Sequence, residues 1–188
     1  MSERLFVAVD LPDAFVDDVA DAQAPFADAE GEGLRLTDPS QAHVTLQFLG
    51  DVESSHVPDV TEAVEDAVDA AGVAPFAATV GGYGVFPSRE YVSVVWTGFR
   101  RGGAELTRLH EAVERETARL GFAGDDHEFT PHVTLARVDD ARPKALVLRV
   151  LDEADPEVGS FRVGEVRLKR STLTPDGPEY ETVARAAL

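Results

Sequence analysis

The stretch HVTLQFLG at residues 43–50 has a near copy, HVTLARV, at residues 132–138. Four identical residues in the same order, nearly half a chain apart, set the reading of the fold. Each copy alternates polar and apolar side chains, which is the period of a strand with one buried face. In the first, His43, Thr45 and Gln47 are expected to share one face, with Val44, Leu46 and Phe48 on the core face. In the second, His132 and Thr134 stand opposite Val133 and Leu135. Two similar lobes packed side by side, each presenting one such strand, are the natural architecture.

The surrounding sequence supplies elements for both lobes. Residues 4–9 read as a strand, and Phe15, Val19, Ala22 and Phe26 then fall at helical spacing until Pro25 ends or bends the helix. Val57, Val60, Val64, Ala67, Val68 and Ala71 form one apolar stripe, closed by Gly72, and predict a second helix. Residues 76–80 and 91–96 look like strands joined by the turn-rich GGYGVFPSRE. A third helix is expected over about 102–120 and a shorter one over about 143–154, where VLRVL also fits a strand. One strand is expected over 161–173 with a kink at Gly164, then a turn at TPDGP and a final strand over 180–186. Neither a linker nor a low-complexity tract divides the chain, so residues 1–188 are expected to be a single α+β domain of two intertwined lobes.

Composition limits the function. The formal charge is −18, from 35 Asp and Glu against 17 Lys and Arg, and only Lys144 and Lys169 are lysines. Such a surface repels itself in dilute buffer, whereas molar salt shortens the Debye length to about 3 Å and screens it. We therefore expect a halophilic host. The same charge argues against broad, non-specific binding of nucleic acid, though not against a locally basic site. Cysteine is absent, which excludes disulfides, zinc–thiolate centres and thiol nucleophiles. No apolar run approaches the roughly 18–20 residues of a membrane span, and the N-terminus lacks a signal-peptide layout. A cytoplasmic protein without membrane contact is expected.

Imidazole is the side chain suited to proton transfer near neutral pH. Two of them can divide the work, one accepting a proton and one donating it. A threonine hydroxyl two residues along can bond a phosphoryl oxygen. Paired His-x-Thr units around one groove therefore point to in-line phosphoryl transfer, with His43, Thr45, His132 and Thr134 as the working residues. A metal site is the rival use of two histidines, but it needs further ligands. His56, His110 and His127 do not cluster with the motifs, and each is expected at the surface. Neither a G-x-S-x-G elbow nor a phosphate-binding glycine loop is present.

These residues resemble the 2H phosphoesterases, named for two His-x-Thr/Ser motifs. More closely, the chain resembles the RNA 2′,3′-cyclic phosphodiesterases once called 2′-5′ RNA ligases. The likeness runs through RLFVAVDLP, HVTLQFLG, GGYGVFPSREYVSVVW, FTPHVTLARV and VRLKRSTLTPDGPEY, nearly the whole chain. It implies a bilobal α+β fold, each lobe a small, mainly antiparallel sheet with helices outside and a groove between. It also implies metal-independent, cofactor-free opening of a terminal 2′,3′-cyclic phosphate on RNA or a nucleotide, leaving a 2′-phosphate. By the same resemblance His43 is the proton donor, His132 the proton acceptor, and Thr45 and Thr134 hold the phosphate oxygens.

The family often carries a basic residue where Arg137 stands. Strict alternation puts Arg137 on the face opposite His132, so either the strand bulges or ends before it, or Arg137 is structural. Phe6, Phe48 and Tyr83 are candidates to stack a terminal base, with core packing as the alternative. Three other functions stay open: 2′-5′ ligation, hydrolysis of small nucleotide cyclic phosphates, and nucleotide binding without chemistry. Since one chain already supplies both halves of the groove, a monomer is expected.

Overall fold

A computed structural model describes all 188 residues. Nine strands and four α-helices follow one another as β1 (Ser2–Asp10), α1 (Val16–Gln23), β2 (Leu34–Leu36), β3 (His43–Glu53), α2 (Val57–Ala71), β4 (Phe76–Pro87), β5 (Val92–Arg101), α3 (Gly103–Ala118), β6 (Val133–Val138), α4 (Lys144–Glu153), β7 (Glu157–Val163), β8 (Glu165–Thr174) and β9 (Gly177–Ala187). They build a four-stranded sheet in the order β3-β1-β8-β9 and a five-stranded sheet in the order β2-β6-β5-β4-β7. Every strand pair is antiparallel. The expected α+β fold with two antiparallel lobes is therefore observed. No helix is long and apolar enough to cross a membrane.

The lobes are not consecutive in the chain. The first sheet takes β1 and β3 from one end and β8 and β9 from the other. One apolar cluster spans both sheets. It joins Leu5, Val7, Val44 and Leu46 of the first sheet to Val80, Val133 and Leu135 of the second, with Val60 and Val64 of α2 and Leu106 and Leu109 of α3. Helix α2 buries the stripe read from the sequence, and Gly72 ends it in the left-handed conformation at φ +59°. A smaller cluster lies under α4, where Val147 and Val150 meet Phe26, Leu34 and Ala136.

Two local expectations need correction. GGYGVFPSRE is not mainly a turn, because β4 continues through it to Pro87. Its glycines make room rather than reverse the chain: a Cβ on Gly84 would lie 2.2 Å from the Trp96 ring. Gly164 does more than kink one strand. It separates β7 from β8, which enter different sheets. The three-residue β2 was not anticipated, being too short to leave a periodic pattern. Its partner β6 supplies its register instead.

Because one core serves both lobes, cavities in it should weaken the whole molecule. We expect Leu168→Ala, fully buried, to cost about 2–5 kcal/mol. Leu173→Ala, on the same strand but exposed, should change stability by less than about 0.5 kcal/mol. Urea denaturation at fixed KCl concentration compares them. Equal midpoints for the two variants would contradict the shared core.

Candidate active site

Both motif strands depart from strict alternation at the same place. Ala8 of β1 pairs with Thr45 and Val7 with Gln47, so Leu46 is an extra residue in β3. Trp96 of β5 pairs with Thr134 and Val95 with Ala136, so Leu135 is the extra residue in β6. A bulge turns two successive side chains inward. Leu46 and Gln47 are both buried, as are Leu135 and Ala136. The following residue in each copy, Phe48 or Arg137, returns to the side of the histidine and threonine.

This corrects the sequence reading at two positions. Gln47 does not share the His43 face. It is only 2% exposed, and its carbonyl oxygen accepts from the Thr117 hydroxyl at 2.7 Å. Phe48 is not core but 62% exposed, with its ring 6.0 Å from that of Phe6. The bulge also resolves the position of Arg137. Its charge acts on His132 and on Tyr180 of the other lobe, so it stands on the groove side.

The two imidazoles have matched surroundings. His43 Nδ1 lies 2.8 Å from the Gln41 carbonyl, and His132 Nδ1 lies 2.7 Å from the Thr130 carbonyl. A carbonyl only accepts, so each Nδ1 carries the proton. Each Nε2 is then left as the free lone pair. Aromatic edges fix the rings. His43 packs on Phe6 at 5.2 Å and on Tyr180 at 5.1 Å. His132 packs on Phe86 at 4.7 Å and on Trp96 at 5.9 Å.

Burial pushes both histidines below their ordinary pKa. For His43 the bond to the Gln41 carbonyl opposes burial. Lys169 and His132 depress it further, and Asp10 raises it. For His132 the Thr130 carbonyl opposes burial, and Arg137 adds to the depression. The charge of His132 reaches His43, which places the two histidines in one site. Thr45 and Thr134 are half-buried beside them, two residues along each strand.

A model of the 2′-5′ RNA ligase superfamily matches residues 11–173, most of the chain. The chain belongs to this superfamily. Within it, an RNA 2′,3′-cyclic phosphodiesterase of Methanothermobacter thermautotrophicus is 35% identical over 181 residues, covering 96% of each chain. A protein of the same name from Aeropyrum pernix is 36% identical over 81% of this chain and 85% of its own. Among solved structures, TT0787 of Thermus thermophilus superposes with a TM-score of 0.80 at 30% identity, covering 98% of this chain and 97% of its own. E. coli LigT complexed with 3′-AMP superposes with a TM-score of 0.79 at 26% identity, covering 100% and 99%.

In this superfamily member, several site residues went unread in the sequence. Gln41 orients His43 through its carbonyl. Its side chain donates to the Pro178 carbonyl at 3.0 Å and accepts from the Tyr180 N–H at 2.9 Å. It thus ties β9, and the Tyr180 ring, to the segment entering β3. No local spacing connects residues 41 and 180. Phe86 and Trp96 lie within GGYGVFPSREYVSVVW, and no local spacing marks them as neighbours of His132.

The remaining candidates lie elsewhere. Tyr83 packs on both apolar clusters, and its hydroxyl donates to the Ala22 carbonyl at 2.6 Å, so it serves the core. Phe6 is buried beneath Phe48 and against His43. His56 and His127 are exposed, as expected. His110 is not: it is buried, stacked 4.1 Å from Phe129, with Nδ1 2.7 Å from the Leu46 carbonyl.

The imidazole geometry has a spectroscopic consequence. Long-range ¹⁵N–¹H correlation spectra should show His43 and His132 both as the Nδ1–H tautomer at neutral pH. Each should titrate below 6.5, the ordinary histidine value. An Nε2–H tautomer at either position would disprove the arrangement.

Proposed function

We propose that this chain hydrolyses RNA-terminal or nucleotide 2′,3′-cyclic phosphates to 2′-phosphates, using His43 and His132 as a metal-independent acid–base pair. The observation that carries the reading is the matched pair of imidazoles, each locked through Nδ1 and free at Nε2, in one groove between two lobes. In-line displacement at phosphorus needs proton transfer on opposite sides, to a leaving oxygen and from an attacking one. Two imidazoles on facing lobes suit that demand. The names of the relatives from M. thermautotrophicus and A. pernix support the same chemistry.

In the proposed reaction, His132 Nε2 removes a proton from water as the water oxygen bonds to phosphorus. The bond from phosphorus to the 3′ oxygen breaks, and protonated His43 delivers its Nε2 proton to that oxygen. A 3′-hydroxyl and a 2′-phosphate remain. The donor and acceptor labels follow the family resemblance. Thr45 and Thr134 hold the non-bridging oxygens, and Arg137 neutralises the charge that grows on them. Phe48, exposed beside the site, is the platform on which the terminal base stacks. Phe6 supports it from below.

The acting unit is one chain, since both motifs and one shared core come from it. We read the −18 charge as adaptation to salt, so the reaction is best followed in molar KCl. With an RNA ending in a 2′,3′-cyclic phosphate and EDTA present, wild type should yield the 2′-phosphate. His43→Ala and His132→Ala should each lose about 10²–10⁴-fold in kcat. Restoration of turnover only by added metal would sink the acid–base pair. Joining of two RNA ends as the main product would favour the ligase, and binding without turnover a nucleotide-binding module.

The pH profile follows from the shared burial. A pair that must hold one proton is most populated between its two pKa values. Both lie below 6.5, so kcat/KM, which reports the free enzyme, should peak below pH 6.5. Bound phosphate favours the protonated imidazole, so kcat should peak at a higher pH. A kcat/KM optimum above pH 7 would be incompatible with two depressed histidines.

A further inference from the structure

A cavity of about 510 Å³ opens beside His43 on the first sheet. Residues 40–42, which lead into β3, form one wall, and Tyr180 stands at its boundary with His43. The lining is mostly polar and carries three cations, Arg167, Lys169 and Arg185, against two carboxylates, Asp10 and Asp13. With Glu165, which holds Arg167 and approaches Arg185, the charges around the cavity balance, on a chain that carries twice as many acids as bases overall.

The three cations are not equivalent. Lys169 is buried and gives its ammonium to Asp10 at 2.7 and 2.8 Å. Arg167 donates to Asp10 at 2.7 Å and to Glu165 at 2.7 Å. Those two are committed to carboxylates. Arg185 reaches only Glu165, at 3.8 Å, and its side chain is 60% exposed. Its guanidinium therefore has donors to spare, with the Thr182 hydroxyl on the same wall.

We propose that this cavity is a second phosphate subsite, which takes the phosphate on the 5′ side of the terminal nucleoside with Arg185 as its principal donor. The inference rests on the cyclic phosphodiesterase reading and narrows its substrate. With the reacting 2′,3′-phosphate beside His43, the next phosphate hangs from the 5′ oxygen of the same ribose, one nucleotide step away. The cavity begins next to His43 and offers an anion what a base does not need, a guanidinium fork and a hydroxyl. The aromatic surface suited to a base, Phe48, lies in the other direction along β3. Substrates with a 5′-phosphate or an internal phosphodiester are thus preferred over bare nucleoside cyclic phosphates.

The test measures kcat/KM in molar KCl on adenosine 2′,3′-cyclic phosphate, on its 5′-phosphorylated form, and on a dinucleotide ending in the same cyclic phosphate. Wild type should favour the 5′-phosphate-bearing substrates, and Arg185→Ala should reduce that preference about tenfold. Arg185→Lys should restore part of it. Preference for both extended substrates marks any 5′-phosphate as the ligand, whereas preference for the dinucleotide alone marks the RNA phosphodiester. A binding arm, independent of turnover, compares adenosine 3′-phosphate with adenosine 3′,5′-bisphosphate by calorimetry. Arg185→Ala should weaken the bisphosphate selectively. Equal effects on both ligands, or no 5′-phosphate advantage in wild type, would overturn the subsite. If no substrate turns over, the hydrolase reading fails, and the binding arm still decides the subsite.

Discussion

A regular strand sends successive side chains to opposite faces, and neither motif strand can keep that rule and still build the groove. Each must bury two adjacent residues after its threonine, Leu46 with Gln47 and Leu135 with Ala136. The extra residue leaves a carbonyl outside the ladder, in the interior, where an unpaired acceptor would cost about 1–3 kcal/mol. Both lobes meet the same demand. His110 of α3 caps the Leu46 carbonyl, while Gln23 of α1 and Thr37 cap that of Leu135. These buried polar side chains, puzzling as single residues, follow from the bulges. So does the use of the sixth position in each motif: Phe48 and Arg137 are structural counterparts given different work, one apolar and one cationic.

The proposed chemistry sets a second constraint, that two imidazoles act differently from nearly identical cages. Each is bonded through Nδ1 to the carbonyl two residues earlier and wedged against aromatic rings. Their differences lie in the charges around them. His43 stands near the Asp10–Lys169 pair, whose opposite signs pull its proton affinity both ways. His132 feels Arg137. Fixed charges of this kind, more than ring geometry, distinguish the two imidazoles.

The acidic surface and the arginines of the groove answer different needs. Repulsion among 35 carboxylates is a property of the whole chain and is weakened by salt screening. Recognition of phosphate, as proposed, is local, and only a few arginines need to face the groove with donors unspent. Ion pairs decide which do: Arg167 and Lys169 are held by Asp10, while Arg185 and Arg137 are not.

The sequence alone carried the repeated motif, and with it the two lobes, the paired histidines and threonines, and the core stripe of α2. These are written in local periodicity and in near-identical strings, which one chain displays without its fold. The path of β4 through its glycines was hidden, because the reason for Gly84 is the Trp96 ring across the ladder. The separation of β7 from β8 at Gly164 depends on which sheet each joins, and no local pattern records that. The sides taken by Gln47, Phe48 and Arg137 were decided by tertiary structure, since a bulge is a mismatch between two strands and exists only once they pair. The same holds for Gln41 and Tyr180, distant in sequence and joined by hydrogen bonds that closure of the first sheet brings into reach.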